Sequence, residues 1–177
     1  VPGAKDICIE LNSLSKSHNM SGWRMGMLAS NPQFVQWVLK AKSNIDSGQF
    51  KPMQLAAVAA LSNSPAWHAE MNRIYAERRI WAEKIMDLLH ATYDKSQVGL
   101  FLWGKLAEGS PGSESLVDEL LQEARVFITP GSIFGSNGER FIRISLGSAV
   151  EKMQQAYTRI GEYIQGKHGH RGKLDNL

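Results

Sequence analysis

The chain has 177 residues, 43% of them hydrophobic and 21% charged, with a mean hydropathy of -0.26, a net charge of +3 and a pI near 9.0. This is the profile of an ordinary globular protein, long enough for one or two modest domains. No apolar run reaches the length of a membrane span, Val1–Lys5 does not form a signal peptide, and a lone cysteine, Cys8, excludes an internal disulfide. The expectation is therefore a cytoplasmic protein without a membrane partner. Basic residues are dispersed except in the tail, so no nucleic-acid partner is expected.

Asp6–Leu11 reads as a short strand, with Ile7, Ile9 and Leu11 at period two and Cys8 as a small buried hydrophobe. It runs into a turn crowded with hydroxyls, Ser13, Ser15 and Ser17, around Lys16. Arg24 lies eight positions on, behind Gly22-Trp23, and a second apolar run, Met25–Ala29, follows. Two readings stand at this point. Lys16 is either a solvated lysine in a serine-rich turn, or a lysine that forms a Schiff base beside a bound anion. The second requires a neutral amine, hence burial or a nearby positive charge. Arg24 supplies that charge and a planar fork for a phosphate, with Ser13 and Ser15 as further donors.

Asn31-Pro32 starts a helix, with Asn31 as N-cap and Phe34, Trp37, Val38 and Ala41 on one face, ending near Ser43. Asn44–Lys51 is a loop, and Pro52–Leu61 an alanine-rich helix. Ser64-Pro65 repeats the start signal. Trp67, Met71, Ile74, Arg78, Trp81, Ile85 and Leu88 then form a seam on one helix of about 25 residues, read as core packing. Arg78 in that seam is either an ion pair or a partly exposed stem.

Val98–Trp103 reads as a strand with Gly99 as a possible bulge. A helix over 115–124 follows, capped by Ser115 and burying Leu116, Leu120, Leu121 and Ala124. Val126–Thr129 is a strand stopped by Pro130-Gly131. Gly131–Gly138 lacks the lysine of a nucleotide-triphosphate loop, so a flexible substrate-side loop is expected. In the strand Arg140–Leu146, Ile142, Ile144 and Leu146 share one face. Arg143 then points away from the core and is free to reach a cleft. Ser148–Glu151 has capping-box spacing and launches a helix with Val150, Met153, Tyr157, Ile160 and Ile164 inward, ended by Gly166. The tail 167–177 reads as basic and mobile, and His168 and His170 make a poor metal site, so no metal is expected.

The order Ser13-Leu14-Ser15-Lys16-Ser17-His18-Asn19-Met20-Ser21-Gly22-Trp23-Arg24-Met25-Gly26 resembles the cofactor-lysine segment of class I/II aminotransferases, fold-type I enzymes that use pyridoxal 5'-phosphate. Arg140–Leu146 resembles the segment carrying their substrate-carboxylate arginine, and Ser47–Pro52 also looks like this family. His18 departs from it, since another aromatic ring is common there. The resemblance implies an α/β fold: a remnant of the large cofactor-binding domain over 1–64, a long connecting helix over 65–91, and a small α/β domain over 92–166. It implies Lys16 as the cofactor lysine, Ser13, Ser15 and Arg24 as phosphate ligands, and Arg143 as the group that holds the substrate α-carboxylate. The implied reaction moves an amino group between an amino acid and a 2-oxo acid. The implied assembly is a homodimer, with Ser47–Lys51 near the partner's cofactor site. The other cofactor-tuning groups of that family come from earlier in its chains, so this chain is expected to be a C-terminal portion, inactive alone. A carbon–sulfur lyase of the same fold would use the same Lys16 and Arg24, and a non-catalytic sensing or dimerisation module derived from that fold is a further alternative.

Overall fold

A computed structural model describes the backbone over residues 1–174 and the side chains over 1–166. It divides into two compact units, Val1–His68 and Ala69–Leu177. The first unit opens with one helical turn, α1 (Ala4–Ile7), then β1 (Glu10–Ser13), the short α2 (Leu14–Ser17) and β2 (Gly26–Ala29). The strand expected over Asp6–Leu11 is corrected by this. The Cys8 N–H donates to the Ala4 carbonyl at 2.8 Å, closing the turn, and extended pairing starts only at Glu10. A period-two pattern fixes a strand only where one face is buried. Here Ile7 and Leu11 are 79% and 77% exposed, and Cys8, expected buried, is exposed with them.

β1 and β2 pair antiparallel, with Ser13 opposite Gly26. A Cβ at Gly26 would lie 2.8 Å from the Asn12 carbonyl oxygen, so a glycine is what lets the two backbones meet there. α3 (Pro32–Lys42) begins as its sequence requires, with the Asn31 side chain accepting from the Phe34 N–H at 2.9 Å. Its expected apolar face is only half covered: Phe34 and Val38 are half-buried, Trp37 and Ala41 exposed. α4 (Lys51–Leu61) contributes Ala57 to a small core with Leu14 and Met20.

α5 (Pro65–Leu88) is a continuous 24-residue helix that starts at the expected proline. Of its predicted seam only Ile85 is fully buried. The buried line turns to Ala82, Ile85 and Met86, continued by Leu89 beyond the helix. Arg78 makes no ion pair among the described residues; one guanidinium N–H donates to the Leu146 carbonyl at 3.1 Å. It thus anchors the helix to the end of a strand.

The second unit is an antiparallel sheet of β3 (Thr92–Tyr93), β4 (Phe101–Lys105), β5 (Thr129–Pro130) and β6 (Phe141–Ser145), in the order β3-β4-β6-β5. Gly99, at φ 92°, turns the chain before β4, which is why that strand starts at Phe101 rather than Val98. Where β3 ends, the Gln97 side-chain amide replaces it, accepting from the Trp103 N–H at 2.9 Å and donating to its carbonyl at 2.8 Å. Of the strand expected over Val126–Thr129 only Thr129 joins the ladder, together with Pro130, which was expected to stop it, although Val126 and Ile128 are buried.

α6 (Ser113–Glu123) starts two residues before the expected cap, with Gly112 at the N-cap position. Ser113, Val117, Leu120 and Ala124 form the buried line, and Leu121, expected buried, is 44% exposed. α7 (Val150–Leu174) starts one residue later than expected, with Ala149 accepting the first N–H bonds. It buries Met153 and Ile160, half-buries Val150, Tyr157 and Ile164, and continues through Gly166, where an end was expected. A single interior glycine costs only about 1 kcal/mol. The readings of tail mobility and of the His168 and His170 side chains lie outside the described residues. Helices α5, α6 and α7 and strands β4 and β6 share one core around Met86, Leu102, Leu120, Ile142 and Ile160. Each such side chain contributes about 1.5–3 kcal/mol by leaving water.

Candidate active-site segments

Lys16 sits in α2, directly after β1. Ser13 caps that turn: its Oγ accepts from the Ser15 N–H at 3.1 Å and donates to the Ser15 Oγ at 3.0 Å. Two predicted anion donors are therefore adjacent. Ser17 donates to the Ser13 carbonyl at 3.3 Å and lies 2.9 Å from His18 Nδ1. His18 stacks on Trp67, with ring centroids 6.0 Å apart and 15° between planes, and meets His68 edge-on at 5.2 Å. The histidine thus packs as an aromatic ring, beginning two residues past Lys16.

Arg24 is in the left-handed region, φ 51° and ψ 43°, at the bend that leads into β2. One of its guanidinium N–H groups donates to the Ser21 carbonyl at 3.2 Å. No hydrogen bond joins it to Ser13 or Ser15 among the described residues. Lys16 is exposed, and Arg24 is the other cation of the segment.

Arg143 lies in the second unit, mid-strand in β6, opposite Trp103 on one side and Thr129 on the other. Its neighbours Ile142 and Ile144 are buried, 0% and 8% exposed, so strand alternation carries Arg143 to the other face as predicted. Its guanidinium carbon is 4.3 Å from the Phe101 ring centroid and 4.5 Å from that of Phe134. Its Nε is buried without a hydrogen-bond partner. It borders a cleft of about 280 Å³ whose polar lining includes Thr129, Ser145, Ser148 and Lys152.

Neither Phe101 nor Phe134 was a candidate in the sequence, although Phe134 falls within Gly131–Gly138, the loop expected on the substrate side. That loop is not open: Gly131–Phe134 and Ser136–Gly138 are tight 3-10 turns, and Gly131 and Gly138 are both buried.

The class I and II aminotransferase family model matches residues 2–160. The chain belongs to this family, whose fold-type I α/β architecture and pyridoxal-phosphate dependence come with it. It is 39% identical over 161 residues to the LL-diaminopimelate aminotransferase of Maridesulfovibrio salexigens, covering 91% of this chain and 41% of that protein. It is 41% identical to that of Aquifex aeolicus, covering 90% and 41%. Among solved structures, the aromatic aminotransferase of Pyrococcus horikoshii OT3 superposes with a TM-score of 0.84 at 27% identity, covering 95% of this chain and 45% of that one. The chain thus spans about two fifths of the length of these relatives.

The residues present fit the family's cofactor by the chemistry of the donor set. Two hydroxyls 3.0 Å apart and a guanidinium suit a dianionic phosphate, and a solvent-accessible primary amine lies in the same segment to meet an aldehyde.

Proposed function

We propose that this chain is the C-terminal portion of a longer protein, the parent, which moves an amino group between an amino acid and a 2-oxo acid. The observation that carries the reading is Lys16 in the serine-capped turn after β1, inside a segment matched by the aminotransferase family. In this reading 1–64 is the remnant of the large domain, 65–91 the connecting helix and 92–166 the small domain. The parent is a cytoplasmic homodimer. Exposed Trp37 and Leu39 on α3 and Leu55 and Val58 on α4 are apolar area for other protein to cover. No helix of the described residues is long and apolar enough to cross a membrane. The relatives' names make LL-diaminopimelate the first amino donor to assay.

When bound, pyridoxal 5'-phosphate supplies the electron sink for the substrate's α-carbon. Lys16 would hold the cofactor through its side-chain amine and would carry the proton at Nζ. Ser13, Ser15 and Arg24 hold the phosphate, the hydroxyls by hydrogen bonds and the guanidinium by charge-assisted ones. Arg143 grips the substrate α-carboxylate with its fork, which fixes the bond to be broken.

The test is a coupled transaminase assay with product analysis, on the parent and on the 177 residues alone. Turnover by the parent, and none by the chain, supports the reading. Release of ammonia and a thiol would make the parent a lyase. Parent-like turnover by the chain alone would show that the segment is sufficient. In the parent, Lys16→Ala should abolish borohydride trapping of the cofactor; retained covalent cofactor would remove Lys16 from its role.

A further inference from the structure

Arg143 lacks what usually fixes an arginine. Among the described residues its side chain has no ion pair or hydrogen bond, and its Nε is buried with no partner. What it has is two aromatic faces, Phe101 at 4.3 Å and Phe134 at 4.5 Å. Both rings remain well exposed, 38% and 53%, so neither serves mainly to fill the core. Phe134 is itself held. It meets Trp103 edge-on at 5.6 Å, and Trp103 stacks on Phe141 at 5.3 Å. Its turn closes where Gly131 and Gly138 meet, too tightly for a Cβ on either.

We propose that Phe101 and Phe134 are positioning residues that hold the Arg143 guanidinium in place for a substrate carboxylate, an inference that rests on the carboxylate role assigned to Arg143 above. Aromatic faces attract a cation without consuming its N–H donors. A carboxylate partner would occupy those donors; the two rings leave them available. The arginine is thus pre-positioned with donors unspent, which reduces the ordering cost when a carboxylate arrives.

Two measurements test this. In the 177-residue chain, nitrogen-15 NMR of the arginine side chains reads the Arg143 Nε–H proton, which ring currents shift. Phe134→Leu should move that resonance and Phe134→Tyr should not. A resonance that ignores both substitutions overturns the clamp.

In the parent, KM and kcat are measured for whichever donor, among the common amino acids and LL-diaminopimelate, turns over fastest. Phe134→Leu should raise KM roughly two- to fivefold, the factor expected for losing one cation–π contact to a ring that stays half exposed. kcat should change far less, because the lost contact serves ground state and transition state alike. Phe134→Tyr should restore KM. Phe101→Leu, on a different element, should repeat the effect, so misfolding of one variant does not decide the matter.

Unchanged KM in both leucine variants, with a raised KM in Arg143→Lys, overturns the positioning role and leaves the carboxylate assignment standing. Unchanged KM in Arg143→Lys as well means that the assignment itself is wrong. Loss of kcat without rescue by tyrosine would make the rings structural only, and would also overturn the proposal.

Discussion

Replacing Gly131 by alanine tests the closure of the loop between β5 and β6. An alanine Cβ there would lie 2.4 Å from the Gly138 carbonyl oxygen, 2.6 Å from the Phe141 carbonyl oxygen and 2.9 Å from the Phe141 Cβ. The shortest ordinary carbon–oxygen separation is about 3.3 Å. The two oxygens would therefore have to retreat by about 0.9 and 0.7 Å. Neither can move by changing a rotamer, because both are backbone, and Phe141 opens β6, which pairs with β4 through Lys105. Overpacking typically costs about 1–3 kcal/mol, and a clash against backbone on two sides belongs at the upper end, about 3 kcal/mol. With a urea m-value of about 1.5 kcal/mol/M, the unfolding midpoint of the second unit should fall by about 2 M. The assay is urea unfolding followed by tryptophan fluorescence, paired with far-ultraviolet circular dichroism to check that one transition is read. A midpoint within about 0.3 M of the unsubstituted chain would refute the argument, and would mean that the loop opens locally to accept the methyl group.

Gly166→Ala should raise the thermal midpoint, because alanine replaces glycine inside α7 with nothing within 4 Å of the added Cβ. The gain is up to about 1 kcal/mol, or a few degrees for a domain of this size; an unchanged or lower midpoint would show that the helix does not hold through that residue. Tyr93 has its pKa raised above the ordinary value of 10.0, first by burial and then by its hydrogen bond to Asp87. A raised folded-state pKa gives stability that is fully present below pH 10 and lost as pH rises through the folded value. Urea midpoints should therefore fall more steeply above about pH 10 in the unsubstituted chain than in Tyr93→Phe, and parallel curves would remove Tyr93 from that dependence.

Local chemistry alone determined much of this protein. Asn31-Pro32 and Ser64-Pro65 mark helix starts because a cap needs only a side chain within three residues of its amide. The alternation of Ile142, Arg143 and Ile144 predicted which way Arg143 faces, because strand side chains alternate whatever packs on them. The order of residues around Lys16 pointed to the family that the comparison confirms. Tertiary structure decided the rest, wherever burial or long-range pairing had to choose. Ile7, Ile9 and Leu11 carry a strand pattern, but with no face to bury them the chain takes a helical turn and starts its strand at Glu10. Val117 and Leu121 are equally apolar, and only the phase at which α6 meets the sheet buries one and exposes the other. Phe101 and Phe134 lie far apart in sequence, and no local rule joins them. They meet over Arg143 because β4 pairs with β6 and because two glycines let the intervening loop close on itself.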